Sequence, residues 1–165
     1  MVASERYNEV LELISDRNKD KRLARMYAIV FLSLKKKGRG AGFTQLGPEK
    51  FKNIVTRCLS EGISFGADSC SSHLFEQSIR DRDDYKSLMQ MVEPCESFGI
   101  FSSYINSEGR YFPCSFCEGE GEWKSGIDVT KCESFLWDVW NDSLVNKYRE
   151  RMLHNGRNCP MFKID

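Results

Sequence analysis

Two cysteines stand three positions apart in the stretch GRYFPCSFCEG, residues 109–119, at the end of an aromatic run bounded by glycines. Cys114 and Cys117 thereby form C-x-x-C, a spacing that aims two thiolates at one ion. Cys95 follows Pro94 and Cys159 precedes Pro160, so each lies beside a residue that restricts the local backbone. Packing alone rarely gathers thiols in Pro/Gly turns, and Cys95, Cys114 and Cys159 therefore read as metal ligands. Cys58 reads differently: it falls on an apolar helical stripe and is expected to be a core thiol. Cys132, beside a helix start, is open to both readings.

The remaining chemistry is weaker. KKKGRG, residues 35–40, can hold a phosphate, a carboxylate or nucleic acid through Lys35, Lys36, Lys37, Arg39 and glycine amides. The competing reading is a solvated basic turn. His73 and His154 are the only histidines, and neither stands near a Ser or Cys in a way that suggests a triad. Glu118, Glu120 and Glu122 alternate with glycines and read as a mobile rim.

The elements that must carry these residues follow from periodicity. Tyr7, Val10, Leu11 and Ile14 mark an amphipathic helix. YAIVFLSL, residues 27–34, reads as a strand buried on both faces, running into the basic glycine loop. Pro48 opens a second helix with Phe51, Ile54, Val55, Cys58 and Leu59 on one stripe and Gly62 as its stop. Residues 63–70 read as another strand. This order predicts a parallel β-α-β crossover that places residues 35–40 and 68–70 at one edge of the sheet. A helix over Tyr85–Val92 precedes Pro94; beyond it NSEG joins two strands as a hairpin, with Gly109 placed for positive φ. Helices close the chain, with Phe135, Leu136, Val139 and Trp140 on one face and Leu144, Tyr148 and Met152 after a break at 141–142. The expected class is α/β (α+β), in two regions, 1–93 and 94–165, forming one compact unit.

Composition bounds the function. In 165 residues, 24 Lys+Arg balance 24 Asp+Glu, so no global field recruits nucleic acid or an anionic membrane. No apolar run reaches the roughly 20 residues of a membrane span, and MVASERYNEV lacks a signal-peptide core. A cytoplasmic location, in the cell or a host cell, is expected. There the seven cysteines stay reduced, which favours metal or iron–sulfur use over disulfides.

One resemblance sharpens this reading. From Cys95 through Gly109 to Cys114 the spacing is C-x13-G-x4-C, which resembles the start of the SPASM/twitch cysteine motif of radical S-adenosylmethionine enzymes. NGRNCPMF resembles that family's distal ligand segment, and FLSLKKKGRG with ISFGADSC resembles the last strands of its partial barrel. The resemblance implies a hairpin carrying ligands to an auxiliary 4Fe-4S cluster, with zinc as the alternative. It implies Cys95, Cys114, Cys159 and Cys70 as the ligand set, with Cys117 or Cys132 competing for the place of Cys70. The family's C-x3-C-x2-C motif is absent, as is its later C-x2-C-x5-C-x3-C run. The chain thus resembles the C-terminal half of such an enzyme. Expected roles are a non-catalytic, protein-binding accessory factor or inhibitor, for instance phage-encoded, or the auxiliary-cluster subunit of a split enzyme completed by a partner. Nucleic acid is the weaker partner class.

Overall fold

A computed structural model describes residues 1–161. The chain mixes helix and strand, with one two-stranded parallel sheet and one small antiparallel sheet, an α+β arrangement. Its described residues divide into two compact units, 1–94 and 95–161. No helix among the described residues is long and apolar enough to cross a membrane.

In the first unit, helix α1 (Tyr7–Arg17) precedes strand β1 (Ile29–Phe31), helix α2 (Pro48–Ser60), strand β2 (Phe65–Ala67), helix α3 (Ser72–Ile79) and the short helix α4 (Tyr85–Leu88). β1 and β2 pair in parallel, Ile29 opposite Phe65 and Phe31 opposite Ala67, so the crossover read from the sequence is present. α2 starts on Pro48 and ends in a Schellman arrangement: the Ile63 amide donates to the Cys58 carbonyl at 2.9 Å and that of Gly62 to Leu59 at 3.3 Å, with Gly62 at φ 64°. Its stripe of Phe51, Ile54, Val55 and Cys58 is buried and packs on α3 and α1. The rings of Phe31, Phe65 and Phe75 continue this core at centroid separations of 6.2 and 6.1 Å.

Two expectations are corrected here. The run at 27–34 is not buried on both faces: Ile29 and Phe31 point inward, but Val30 is 59% exposed and Leu32 43%. Successive side chains of a strand point to opposite faces, and here one face is buried while the other stays largely exposed. The strand expected over 63–70 is confined to Phe65–Ala67, and α3, which was not expected, follows with Leu74, Phe75 and Ile79 on its buried side.

In the second unit, β3 (Tyr104–Ile105), β4 (Arg110–Phe112) and β5 (Ile127–Asp128) form the antiparallel sheet. A π-helical turn, Phe135–Trp140, leads into helix α5 (Ser143–His154), whose Asp142 cap accepts the Leu144 amide at 2.8 Å. Of the four apolar residues expected on one helical face here, only Val139 is fully buried, while Phe135 and Leu136 remain exposed. Widening to a π turn shifts residues off the 3.6-residue face that the pattern assumes. The unit's core joins Phe98, Tyr111, Phe112, Trp123, Val145, Tyr148 and Met152 with Cys95 and Cys117.

Candidate metal centre

The hairpin that presents Cys114 is set by its turn. Asn106 Oδ1 accepts the amides of Glu108 at 3.0 Å and Arg110 at 2.9 Å, while Gly109 adopts φ 71°. A Cβ at Gly109 would stand 2.5 Å from Thr130 Cγ2, so both conformation and space require glycine. β4 then runs through Pro113 into the extended Cys114, after which one 3-10 turn, closed by the Cys117 amide on the Cys114 carbonyl at 2.9 Å, brings round Cys117.

Two tethers converge on this strand end. The Phe98 amide donates to the Pro113 carbonyl at 3.0 Å, tying the Cys95 loop beside Cys114. Arg157 Nε donates to the Cys95 carbonyl at 2.9 Å, tying the segment before Cys159 to the same loop. Phe98 (φ 62°) and Arg157 (φ 64°) are the non-glycine residues of positive φ among the described residues. Each such conformation costs on the order of 1 kcal/mol and persists only where the surroundings impose it. Here both lie within three residues of a candidate ligand, Cys95 or Cys159.

The electrostatics agree with this convergence. Burial pushes the Cys95 thiol up from its ordinary range, and the charges of Cys159 and Cys114 push it further, against hydrogen bonds from Ser97. An ionised Cys95 would thus be repelled by the other two thiolates, a repulsion that a cation would relieve. Cys132 lies half-buried against the same core, its thiol donating to the Val129 carbonyl at 3.0 Å. Among the described residues no three His, Cys, Asp or Glu side chains are already drawn together as a chelating group.

The remaining cysteines lie in the first unit. Cys58 is wholly buried on α2, and burial above all pushes its thiol up to about 12, as for a core residue. Cys70 sits in the 3-10 turn Ser69–Ser71 that leads into α3. It hydrogen-bonds Lys35; burial opposes the charge on Lys35, yet Cys70 and Asp68 hold its pKa above the usual value. Lys35 Nζ pairs with Asp68 Oδ2 at 3.3 Å, joining the loop after β1 to the loop after β2 as the crossover predicts. Asp68 also accepts the Ser33 amide at 3.2 Å and the Ser71 hydroxyl, and the Ser33 and Ser71 hydroxyls meet at 2.7 Å.

The basic loop is divided in use. Lys35 turns inward, whereas Lys36 and Arg39 are exposed and Lys37 is half-buried. Of the acidic loop, Glu122 accepts from Lys147 at 2.8 Å and from the Tyr148 hydroxyl at 3.1 Å, which makes it part of the unit's structure. His73 bonds Gln77, and His154 bonds the Glu150 carbonyl.

Two residues that the sequence did not single out stand at this centre. The Tyr111 hydroxyl and the Trp123 indole N–H are buried without a hydrogen-bond partner among the described residues. A buried, unmet donor costs about 1–3 kcal/mol, and such groups ordinarily signal a ligand, a water or an ion. Alternation along β4 indicates that Tyr111 faces inward, but no sequence signal shows that its hydroxyl lacks a partner.

No family model, no curated protein and no solved structure matches this chain.

Proposed function

We propose that the chain is a thiolate metal-binding protein whose second unit holds a 4Fe-4S cluster or, in the alternative, a zinc ion. Cys95, Cys114 and Cys159 supply three ligands, and the fourth comes from Cys117 or Cys132. The supporting observation is the convergence of three thiol-bearing segments, tied by the Phe98 amide on the Pro113 carbonyl and the Arg157 side chain on the Cys95 carbonyl and flanked by the strained Phe98 and Arg157. The donors suit such a centre in kind, since thiolates take either metal. Orphaned Tyr111 and Trp123 donors in the same core suit it too, because sulfur ligands accept hydrogen bonds. Binding then draws the thiolates to metal–sulfur distance and adds its free energy to folding.

With the resemblance to SPASM/twitch proteins, the parallel β1–β2 unit corresponds to the last part of a radical S-adenosylmethionine partial barrel. Without C-x3-C-x2-C the chain generates no radical of its own and acts as an accessory factor or inhibitor that binds another protein. The outer face of β1, with Val30 and Leu32 exposed beside a groove of about 390 Å³ lined by Met1, Val10 and Leu13, suits protein docking. The same face suits the second reading, a split enzyme completed by a subunit that carries the missing motif.

Anaerobic purification with metal analysis and a visible spectrum tests the centre. Brown protein absorbing near ~400 nm identifies iron–sulfur, and colourless protein with one zinc per chain identifies zinc. Protein with neither metal overturns the proposal. Incubated with S-adenosylmethionine and a chemical reductant, the chain alone is expected to release no 5′-deoxyadenosine; its release would refute the non-catalytic reading.

A further inference from the structure

The loops that leave β1 and β2 at the same edge of the parallel sheet carry a polar cluster that the metal centre does not use. Such edges are where α/β sheets present their reactive groups. Lys35 enters from the loop after β1, with its side chain only 5% exposed. That loop closes tightly on it: the Lys37 amide donates to the Lys35 carbonyl at 2.7 Å, and a Cβ on Gly40 would stand 2.8 Å from the same oxygen. Asp68, Cys70 and Ser71 enter from the loop after β2, where the Ser71 amide closes a 3-10 turn on the Asp68 carbonyl at 2.8 Å.

A buried ammonium requires compensation by anionic or strongly accepting partners. Asp68 meets this in part. Its Oδ2 stands 3.3 Å from Lys35 Nζ, longer than the roughly 2.8 Å of a charge-assisted bond, while Oδ1 serves the Ser33 amide and the Ser71 hydroxyl. Cys70 is a further acceptor, hydrogen-bonded to Lys35. The attraction is mutual, because an ammonium that a thiolate stabilises also stabilises the thiolate. Cys70 also leads into the first turn of α3, which holds no acidic residue, so the positive end of the helix dipole favours an anion there. Of the other titratable groups about it, Asp68 opposes a thiolate but is itself engaged by Lys35, and His73, three residues on in α3, bonds Gln77. Cys70 is partly exposed, whereas Cys58 is wholly buried and keeps its proton up to about 12. A thiol is reactive where charge stabilises the thiolate and solvent reaches it, and Cys70 combines the two.

We infer that Cys70 is a modification site of this chain, a nucleophilic thiol that reacts with hydrogen peroxide, with Lys35 as its positioning residue. The thiolate sulfur bonds to one peroxide oxygen as the O–O bond breaks. Sulfur is oxidised to sulfenic acid, and the second oxygen takes the electron pair and leaves as hydroxide, which gains a proton from solvent. The inference is independent of the metal reading, since no ligand proposed for that centre lies in the first unit.

The reduced full chain, treated with iodoacetamide over a pH series and read by peptide mass mapping, gives the rate at each cysteine, and the urea-unfolded chain gives the reference rate. Folded Cys70 is expected to react at pH 7 about 10-fold faster than unfolded Cys70, with a midpoint below the ~8.5 of a free thiol. Lys35→Met is expected to remove this advantage. Peroxide followed by dimedone is expected to leave a sulfenic-acid adduct on Cys70 of the wild type. Should Lys35→Met fail to fold, the wild-type midpoint decides. A midpoint at or above that of the unfolded thiol, an unchanged rate in folded Lys35→Met, or no dimedone adduct on Cys70 overturns the inference.

Discussion

The two units bury cysteine in opposite ways. In the first, Cys58 lies among Phe51, Ile54 and Val55 on a helix whose start and stop both follow ordinary capping rules, and its thiol behaves as a small hydrophobe. In the second, Cys114 and Cys117 lie beyond the three-residue strand β4 and Cys95 in the loop before β3, among strained backbone and unmet donors. The first unit has a core that packing accounts for. The second orders loops around thiols, and that is where an added ligand would contribute most to stability.

The sharpest way to break this contrast is to remove thiols from the second unit. Cys95→Ser and Cys114→Ser are each expected to abolish metal content and to make the chain beyond Pro94 protease-sensitive, with a resistant fragment ending near Pro94. Limited proteolysis with mass analysis reads both effects. Equal resistance of variant and wild type would mean that the second unit, like the first, stands on packing.

The converse cut removes packing from the first unit. Phe51→Ala empties a fully buried site and is expected to cost about 3–5 kcal/mol. Metal content per folded chain stays unchanged, as metal analysis of the folded fraction would show.

A smaller effect comes from alkali. Folded Cys58 holds its proton up to about 12, whereas an unfolded thiol ionises near ~8.5. Between these values the folded state binds more protons, so its stability is complete below the lower value and declines as pH rises towards the upper. Chemical denaturation at pH 8 and pH 10 should show the loss, and Cys58→Val should lessen it.

The smallest effect is expected at the surface. Lys36→Ala with Arg39→Ala should change stability by less than about 0.5 kcal/mol, while weakening any salt-dependent binding of inorganic phosphate. A clear fall in melting temperature would instead make the loop structural, as Lys35 already is.

These contrasts mirror what the sequence made legible. Pro48, the stripe at Phe51–Cys58 and Gly62 report local chemistry, so α2 and the crossover could be read directly. Gly109 likewise announced the hairpin. The outer face of β1 was misread because an apolar run does not reveal how many strands will cover it. At the candidate centre the cysteines and prolines were visible in the sequence. Phe98 and Arg157 were not, because a left-handed conformation at a non-glycine residue is imposed by tertiary contacts. Tyr111 and Trp123 escaped for a similar reason: a missing partner is a property of the assembled core.

The bond from Arg157 to the Cys95 carbonyl also has a temporal meaning. It joins residues 62 positions apart, and the Arg149 bond to the Gly99 carbonyl at 2.6 Å spans 50. Ribosomes add about 5–20 residues per second, so roughly 3–12 s separate synthesis of the two ends of the longer tie. During that interval the Cys95 loop waits without its closing contact, and its thiols stand open to whatever the cell offers. The strands of the first unit are already made by then. Delivery of metal to a nascent chain would therefore have a window, bounded by the emergence of Cys95 and the arrival of Arg157.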